Sequence, residues 1–233
     1  MLNNVKQQVY EANMRLYHSG LVILTWGNVS QKIDDYIVIK PSGVEYERMQ
    51  PKDMVVVDIK GNIIDGKLRP SVDLPTHLEL YKASPYIKGI CHTHSCYASS
   101  FAQAGIGIKP FGTTHADYFY GEIPCTRELT KDEIESDYEK NTAKVIIEEF
   151  ETRNFNEIQA CLVKSHGIFS WGDSPLKAVE NAVVLEEIAK MNYITLQINP
   201  QISGITQHIL NKHYSRKHSY YGQAKIERSL SVK

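Results

Sequence analysis

The chain has 233 residues, 42% hydrophobic and 23% charged, a balance that excludes a disordered or collagen-like polymer and provides material for one well-filled core. Lys plus Arg number 26 against 27 for Asp plus Glu, a formal charge of −1, so no broad basic field is available for nucleic acid or an anionic membrane surface, and any anionic ligand has to be held locally. There is no apolar run of about 18 residues, the polar opening from Met1 to Gln8 reads as a helix start rather than a signal peptide, and Cys91, Cys96, Cys125 and Cys161 lack Cys-x-x-Cys spacing; the expectation is a cytoplasmic protein with free thiols.

Taken in chain order, Leu2, Val5, Val9, Ala12 and Leu16 step by three and four, which predicts an amphipathic helix from Leu2 to His18 stopped by Gly20. Short β-type runs follow at Leu21–Thr25, Tyr36–Lys40 and Met54–Ile59, separated by Gly-Asn and Pro-Ser-Gly punctuation. Their close spacing suits antiparallel pairing. Pro75–Ala83 reads as a helix, Gly89–Thr93 as a buried strand and Ser95–Ala104 as a second helix. Thr130 caps a helix predicted to run to about Thr152, with Asp132 and Glu133 in its first turn. Ala160–Lys164 is a strand, and Ser174 with Pro175 opens a long helix. Ser203–Tyr214 is weakly helical, and residues 215–233 read as a basic C-terminal extension lying on something else. No repeat or linker divides the chain, so residues 1–233 are expected to form a single domain. The irregular interspersion of strands and helices indicates an α/β fold with a central, largely antiparallel sheet flanked by helices.

The densest chemistry lies at the end of the predicted strand Gly89–Thr93. His92 and His94 are two residues apart, and side chains at i and i+2 of a strand share a face, as two imidazole ligands of one metal must. A hydrogen-bonded core pair is the competing explanation for a bare His-x-His. His166 ends another apolar strand, with Gly167 behind it permitting close approach, and three imidazoles leave a coordination position open. Asp73, just before a helix, is either its N-cap or a carboxylate beside that metal. His77 is read as a helix-surface or second-layer histidine. Gly112–Gly121 gathers Asp117, His115 and three aromatics, which either exclude water around the carboxyl group or simply pin a polar loop. Gly27-Asn28, Ser42-Gly43 and Ser71, with Lys40 nearby, offer N–H groups, hydroxyls, an amide and an ammonium that together suit a phosphate, although each alone is an ordinary loop.

In order and combination, Thr25-Trp26-Gly27-Asn28-Val29-Ser30, Ile39-Lys40-Pro41-Ser42-Gly43-Val44, Pro75-Thr76-His77, His92-Thr93-His94-Ser95, Gly112 to Gly121 and Lys164-Ser165-His166-Gly167 resemble the L-ribulose-5-phosphate 4-epimerases of the class II aldolase family, a resemblance running to Tyr220-Tyr221-Gly222-Gln223. It implies a zinc-type site, open also to Mn2+ or Co2+, built by His92, His94 and His166 with Asp73 at the acidic-ligand position. It implies a homotetramer with active sites between subunits, in which Asp117 and Tyr221 come from the neighbouring chain as acid/base residues. Gly27, Asn28, Lys40, Ser42, Gly43, Ser71 and Val72 fall at substrate-contacting positions, and His213 and Arg216 at tail positions near the phosphate. Two departures stand out. The family's Pro-Ser-Ser-Asp is Pro70-Ser71-Val72-Asp73 here, and the spacer before Tyr221 is shorter than in the relatives.

The resemblance implies inversion of C4 of a ketopentose 5-phosphate by breaking and remaking the C3–C4 bond, interconverting L-ribulose 5-phosphate and D-xylulose 5-phosphate. The nearest alternatives are a class II sugar-phosphate aldolase, whose relatives carry Glu where Asp73 stands, and a dehydratase of the same fold. A non-catalytic, adducin-like interaction protein is more distant, because the three histidines are retained.

Overall fold

The computed structural model describes residues 2–219. The first helix, α1 (Leu2–His18), forms as its spacing predicts and buries Val5, Val9, Ala12 and Leu16. Gly20 ends it with φ +72°, a conformation natural to glycine. The segment Leu21–Thr25, expected as a strand, is instead an irregular loop in which Leu24 has φ +56° and is exposed. The strand begins later, as β1 (Asn28–Ile33), and continues into β2 (Tyr36–Ile39), β3 (Val55–Asp58) and the short, exposed β4 (Ile63–Asp65).

Helix α2 (Leu74–Ala83) leads to β5 (Gly89–Thr93) and α3 (Cys96–Ala104). Within the stretch read as a turn lies one helical turn, α4 (Thr113–Ala116). The helix expected from Lys131 to Thr152 is two helices, α5 (Lys131–Glu135) and α6 (Tyr138–Glu149), broken where Ser136 and Asp137 leave helical backbone angles. The Thr130 cap is present, with Glu133 bonding back to the Thr130 N–H in a capping box. The chain then forms the hairpin β6 (Ala160–Val163) and β7 (Gly167–Gly172), the long α7 (Pro175–Ile198) and α8 (Gln207–His218). Residues 215–218, assigned from sequence to an extension, are the last turn of α8; the remainder of that extension, Tyr221 included, lies outside the described residues.

The seven strands make one sheet in the order β4-β3-β2-β1-β5-β7-β6, with every neighbouring pair antiparallel. The single α/β domain expected from the strand clustering is therefore the one observed. Alternation assigns the two faces. Val29, Cys91 and Ser170 turn toward α1 and α7: Asn13 of α1 brackets Val29 with bonds to its O and N (3.2 and 2.9 Å), and the Ser170 hydroxyl donates to Ala178 O (2.9 Å). Asn28, His92 and Phe169, paired directly across β1, β5 and β7, form a row on the opposite face, where α2 lies. Two buried polar residues of β1, Asn28 and Ser30, thus lie on the same face of the sheet as His92.

Candidate metal centre and substrate cleft

His92 sits on the central strand β5, 2% exposed, with its ring stacked on Phe169 (centroids 4.2 Å apart) and Nδ1 2.8 Å from Ile168 O. That carbonyl can only accept, so Nδ1 carries the proton and Nε2 presents a lone pair. His94, just past the strand end, brings its Nε2 within 3.1 Å of the Nε2 of His92. The third ring, His166, stands on a three-residue loop closed by the Val163–Gly167 pair. Ser165 turns that loop with φ +63°, a conformation costing about 1–3 kcal/mol in a non-glycine residue. Bonds from Ser165 N to Ala102 O (3.2 Å) and from Lys164 N to Thr126 Oγ1 (3.1 Å) hold it there. Gly167 makes the approach possible: a Cβ at that position would lie 2.6 Å from Thr93 O and 2.8 Å from His94 Cδ2.

One nitrogen from each of the three rings lies within 4.8 Å of the others. Burial first, then neighbouring imidazoles, push the pKa of His94 down and that of His166 down to about 3, so these rings are neutral ligands near pH 7. Two nitrogens bound at about 2.0 Å to a tetrahedral ion are about 3.3 Å apart, close to the observed His92–His94 separation. The residues present fit a divalent metal ion.

Asp73 occupies the N-cap position of α2, but its side chain makes no cap bond. Its Oδ2 instead accepts from Asn28 Nδ2 (2.7 Å) and lies 3.4 Å from Ser71 Oγ. Burial raises the carboxyl pKa, yet the His92, His77 and His166 rings and the Asn28 amide outweigh it and leave it below the usual carboxylate range. The helix-capping explanation for Asp73 therefore fails. Its carboxylate lies outside the close set of three nitrogens but lines the same cleft.

That cleft, about 380 Å³, is also lined by Gly27, Asn28, Lys40, Ser42, Gly43, Ser71 and Val72, so it gathers every sequence-derived metal residue and all substrate-contacting residues but the tail pair. Gly27, at φ +72°, leaves no room for a side chain, since a Cβ would lie 2.9 Å from His92 O. Lys40 is 2% exposed, bonds the carbonyls of Thr25 and Pro41 (3.3 and 3.4 Å) and sits 4.7 Å from the Tyr46 ring centroid. Burial lowers its pKa to about 8, against a smaller opposite effect of Asp73. Asn28 Oδ1 is buried without a partner among the described residues.

Asp117, His213 and Arg216 form a separate cluster between α4 and α8: Asp117 Oδ1 is 3.0 Å from His213 Nδ1 and 3.5 Å from Arg216 Nη2. None of the three lines the cleft of the same chain. The residues that sequence reasoning missed are Tyr138 and Glu139, which line the cleft, with the Tyr138 hydroxyl 3.4 Å from His166 Nδ1. The Thr76 hydroxyl donates to Glu139 O at 2.6 Å and clasps α6 to α2. Ser136-Asp137, a pair that favours breaks and caps, was the available signal. His77 is fully buried rather than on a helix surface.

Residues 7–193 match the class II aldolase and adducin N-terminal domain family. Among solved structures, the fold is similar to an L-fuculose 1-phosphate aldolase (23% identity, TM-score 0.76, covering 90% of this chain and 94% of that one). It is also similar to YgbL of Klebsiella pneumoniae, whose description leaves aldolase, epimerase and decarboxylase open (23%, 0.74, 91% and 98%), and to an aldolase II superfamily protein of Pseudomonas syringae (14%, 0.76, 99% and 90%). With the matched segment spanning most of the chain and the histidine triad in place, this protein belongs to the class II aldolase and adducin N-terminal domain family.

Proposed function

We propose that the protein is a metal-dependent sugar-phosphate 4-epimerase interconverting L-ribulose 5-phosphate and D-xylulose 5-phosphate. The observation that carries this reading is the convergence, in one cleft, of three imidazoles with Asn28, Lys40, Ser42, Gly43 and Ser71. Carbon–carbon chemistry on a sugar phosphate also agrees with the name of the L-fuculose 1-phosphate aldolase that shares the fold. Asp73, where aldolase relatives carry Glu, supports the epimerase branch.

C4 of a 2-ketopentose is not adjacent to the carbonyl, so its proton is not acidic and inversion requires breaking the C3–C4 bond. His92, His94 and His166, with Asp73 beside them, would hold a divalent ion, which would supply Lewis-acid stabilisation of the negative charge that builds on the three-carbon fragment. Zn2+ suits this donor set, and Mn2+ or Co2+ are alternatives. Beside Asn28, whose Nδ2 is committed to Ser71 and Asp73, the hydroxyls of Ser42 and Ser71, the backbone at Gly43 and the Lys40 ammonium hold the phosphate of the glycolaldehyde phosphate fragment. Held there, its carbonyl turns and presents the opposite face before the bond re-forms. Asn28 Oδ1, a buried acceptor without a protein partner, is suited to a substrate hydroxyl.

Asp117 and Tyr221, delivered by a neighbouring subunit of a homotetramer, exchange the C4 hydroxyl proton on opposite faces of the aldehyde, with His213 and Arg216 holding Asp117 and approaching the phosphate. The test is incubation of zinc-loaded protein with L-ribulose 5-phosphate, followed by NMR beside a chelator-treated control. Chelator-sensitive D-xylulose 5-phosphate is the expected product. Accumulation of dihydroxyacetone and glycolaldehyde phosphate would identify an aldolase instead, and metal binding without turnover would favour an adducin-like role.

A further inference from the structure

Beneath the cleft lies a buried polar chain that the proposed chemistry does not use. The Ser30 hydroxyl is 2.7 Å from both His77 Nδ1 and the Tyr81 hydroxyl, and all three residues are at most 1% exposed. His77 stands one turn after Asp73 on α2, its N–H bonded to Asp73 O (3.1 Å), and its ring meets Phe169 edge-on with centroids 5.9 Å apart. Phe169 in turn stacks on His92. His77 therefore sits behind both the acidic and the central histidine positions of the site. Its Nε2 is buried and has no partner among the described residues.

Proton counting assigns the tautomer. Tyr81 and Ser30 bring one O–H each, and the Tyr81 hydroxyl is bonded to that of Ser30. If His77 Nδ1 carried the proton, it would donate to Ser30 and Ser30 to Tyr81. The Tyr81 proton would then lack an acceptor, and His77 Nε2 would be a bare buried lone pair. In the reverse direction Tyr81 donates to Ser30, Ser30 donates to Nδ1, and every link of the chain is used. The proton then sits on Nε2, a donor in need of an acceptor. The nearby anionic group is Asp73, whose carboxylate and the His77 ring each shift the other's pKa; burial, acting first, holds the imidazole neutral.

The geometry points to His77 as a positioning residue: the Tyr81–Ser30 chain locks it as the Nε2–H tautomer, whose buried N–H dipole, one helical turn behind Asp73, steadies the Asp73 carboxylate for metal binding. This inference rests on the reading of Asp73 as a metal ligand and is independent of which sugar phosphate is turned over. Supporting shells of this kind are typically worth about 10–100-fold in metal affinity.

The test has two readouts, neither of them activity. In 15N-histidine-labelled zinc protein, His77 should show the Nε2–H tautomer in NMR. Ser30→Ala and Tyr81→Phe should convert it to a mixture or to Nδ1–H and weaken zinc binding in a chelator competition by about 10-fold or more. Ser30→Thr, which keeps the hydroxyl, should restore both. His77→Gln, whose amide nitrogen reaches toward the Nε2 position, should keep more zinc affinity than His77→Asn. An Nδ1–H tautomer in the unaltered protein, or zinc affinity within twofold of it in folded Ser30→Ala and Tyr81→Phe, overturns the inference. Absence of epimerase turnover with these shifts present would overturn only the proposed reaction.

Discussion

The Nε2 atoms of His92 and His94 face one another at 3.1 Å, while the Nδ1 of His92 is committed to Ile168 O. With the His92 lone pair turned toward its neighbour, the pair is arranged for a cation between them. Zinc binding should therefore stabilise the fold. At free zinc 100 times its Kd the gain is about 2.7 kcal/mol, equivalent to roughly 5–10 °C in Tm for a chain of this length. Calorimetry with and without chelator measures it, and an unchanged Tm would show that no metal is bound.

Gly167→Ala places a methyl group 2.6 Å from Thr93 O and 2.8 Å from the His94 ring. Neither neighbour is the free end of a flexible side chain. The expected result is destabilisation of about 1–3 kcal/mol together with weaker metal binding, read from denaturant unfolding and chelator competition. Unaltered zinc affinity would show that the ring spacing tolerates displacement.

Lys40, lowered by burial to about 8 from an ordinary 10.5, loses its charge in an accessible pH range. Binding of a dianionic phosphate should weaken as pH rises through about 8, and inorganic phosphate inhibition of turnover is the readout. Lys40→Arg, which stays charged, should remove that break. The same shift has a stability consequence of definite sign. Between pH 8 and 10.5 the unfolded lysine binds the proton that the folded one has released, so this residue's contribution makes stability rise with pH there. Lys40→Met should flatten that rise in urea titrations.

Val72 is 64% exposed at the cleft wall, at the position where the resemblance to the epimerases leads one to expect serine. Restoring the hydroxyl with Val72→Ser should lower KM for the sugar phosphate about 2–10-fold, the worth of one net hydrogen bond. Tm should hardly move, because an exposed valine contributes little to the core. An unchanged KM would mean the phosphate does not approach this position.

Asp117 pairs with His213 and Arg216 away from the cleft of its own chain. If a neighbouring subunit delivers it, Asp117→Asn and His94→Ala proteins, each expected to lose about 10²-fold or more in turnover, should recover activity when mixed under subunit exchange. No recovery in exchanged oligomers would require each site to be built from one chain.

The parts of this molecule that could be read from sequence were those whose residue pattern matches a local rule. The period of α1, the apolar runs of β2, β3 and β5, and the Thr130 and Ser174 caps all appear at or near the expected positions. β1 did not announce itself, because Asn28 and Ser30 turn polar side chains toward α2, where the Asn28 Nδ2 bonds Ser71 and Asp73 and the Ser30 hydroxyl bonds His77 and Tyr81. β7 is interrupted by Ser170 and bounded by glycines, so neither alternation nor a clean apolar run marks it. Conversely, the Leu21–Thr25 run is apolar without pairing, leaving Ile23 and Leu24 largely exposed. The histidine triad was legible because spacing and neighbours were distinctive. Tyr138 and Glu139 were hidden by reading α5 and α6 as one helix.

The alignment of β5 against β7 places His92 opposite Phe169 and Thr93 opposite Ile168. A slip of one residue moves a strand by about 3.3 Å and turns every side chain to the other face. His92 Nδ1 would then lose Ile168 O, and His166, two residues before Ile168, would leave its partners. Ligand geometry and strand register are thus the same variable, and a bound ion discriminates among alignments that apolar burial alone distinguishes poorly: Ile90, Cys91, Ile168 and Phe169 would find a buried environment on either face. A metal ion bound at this centre would therefore also favour the native register in the middle of the sheet.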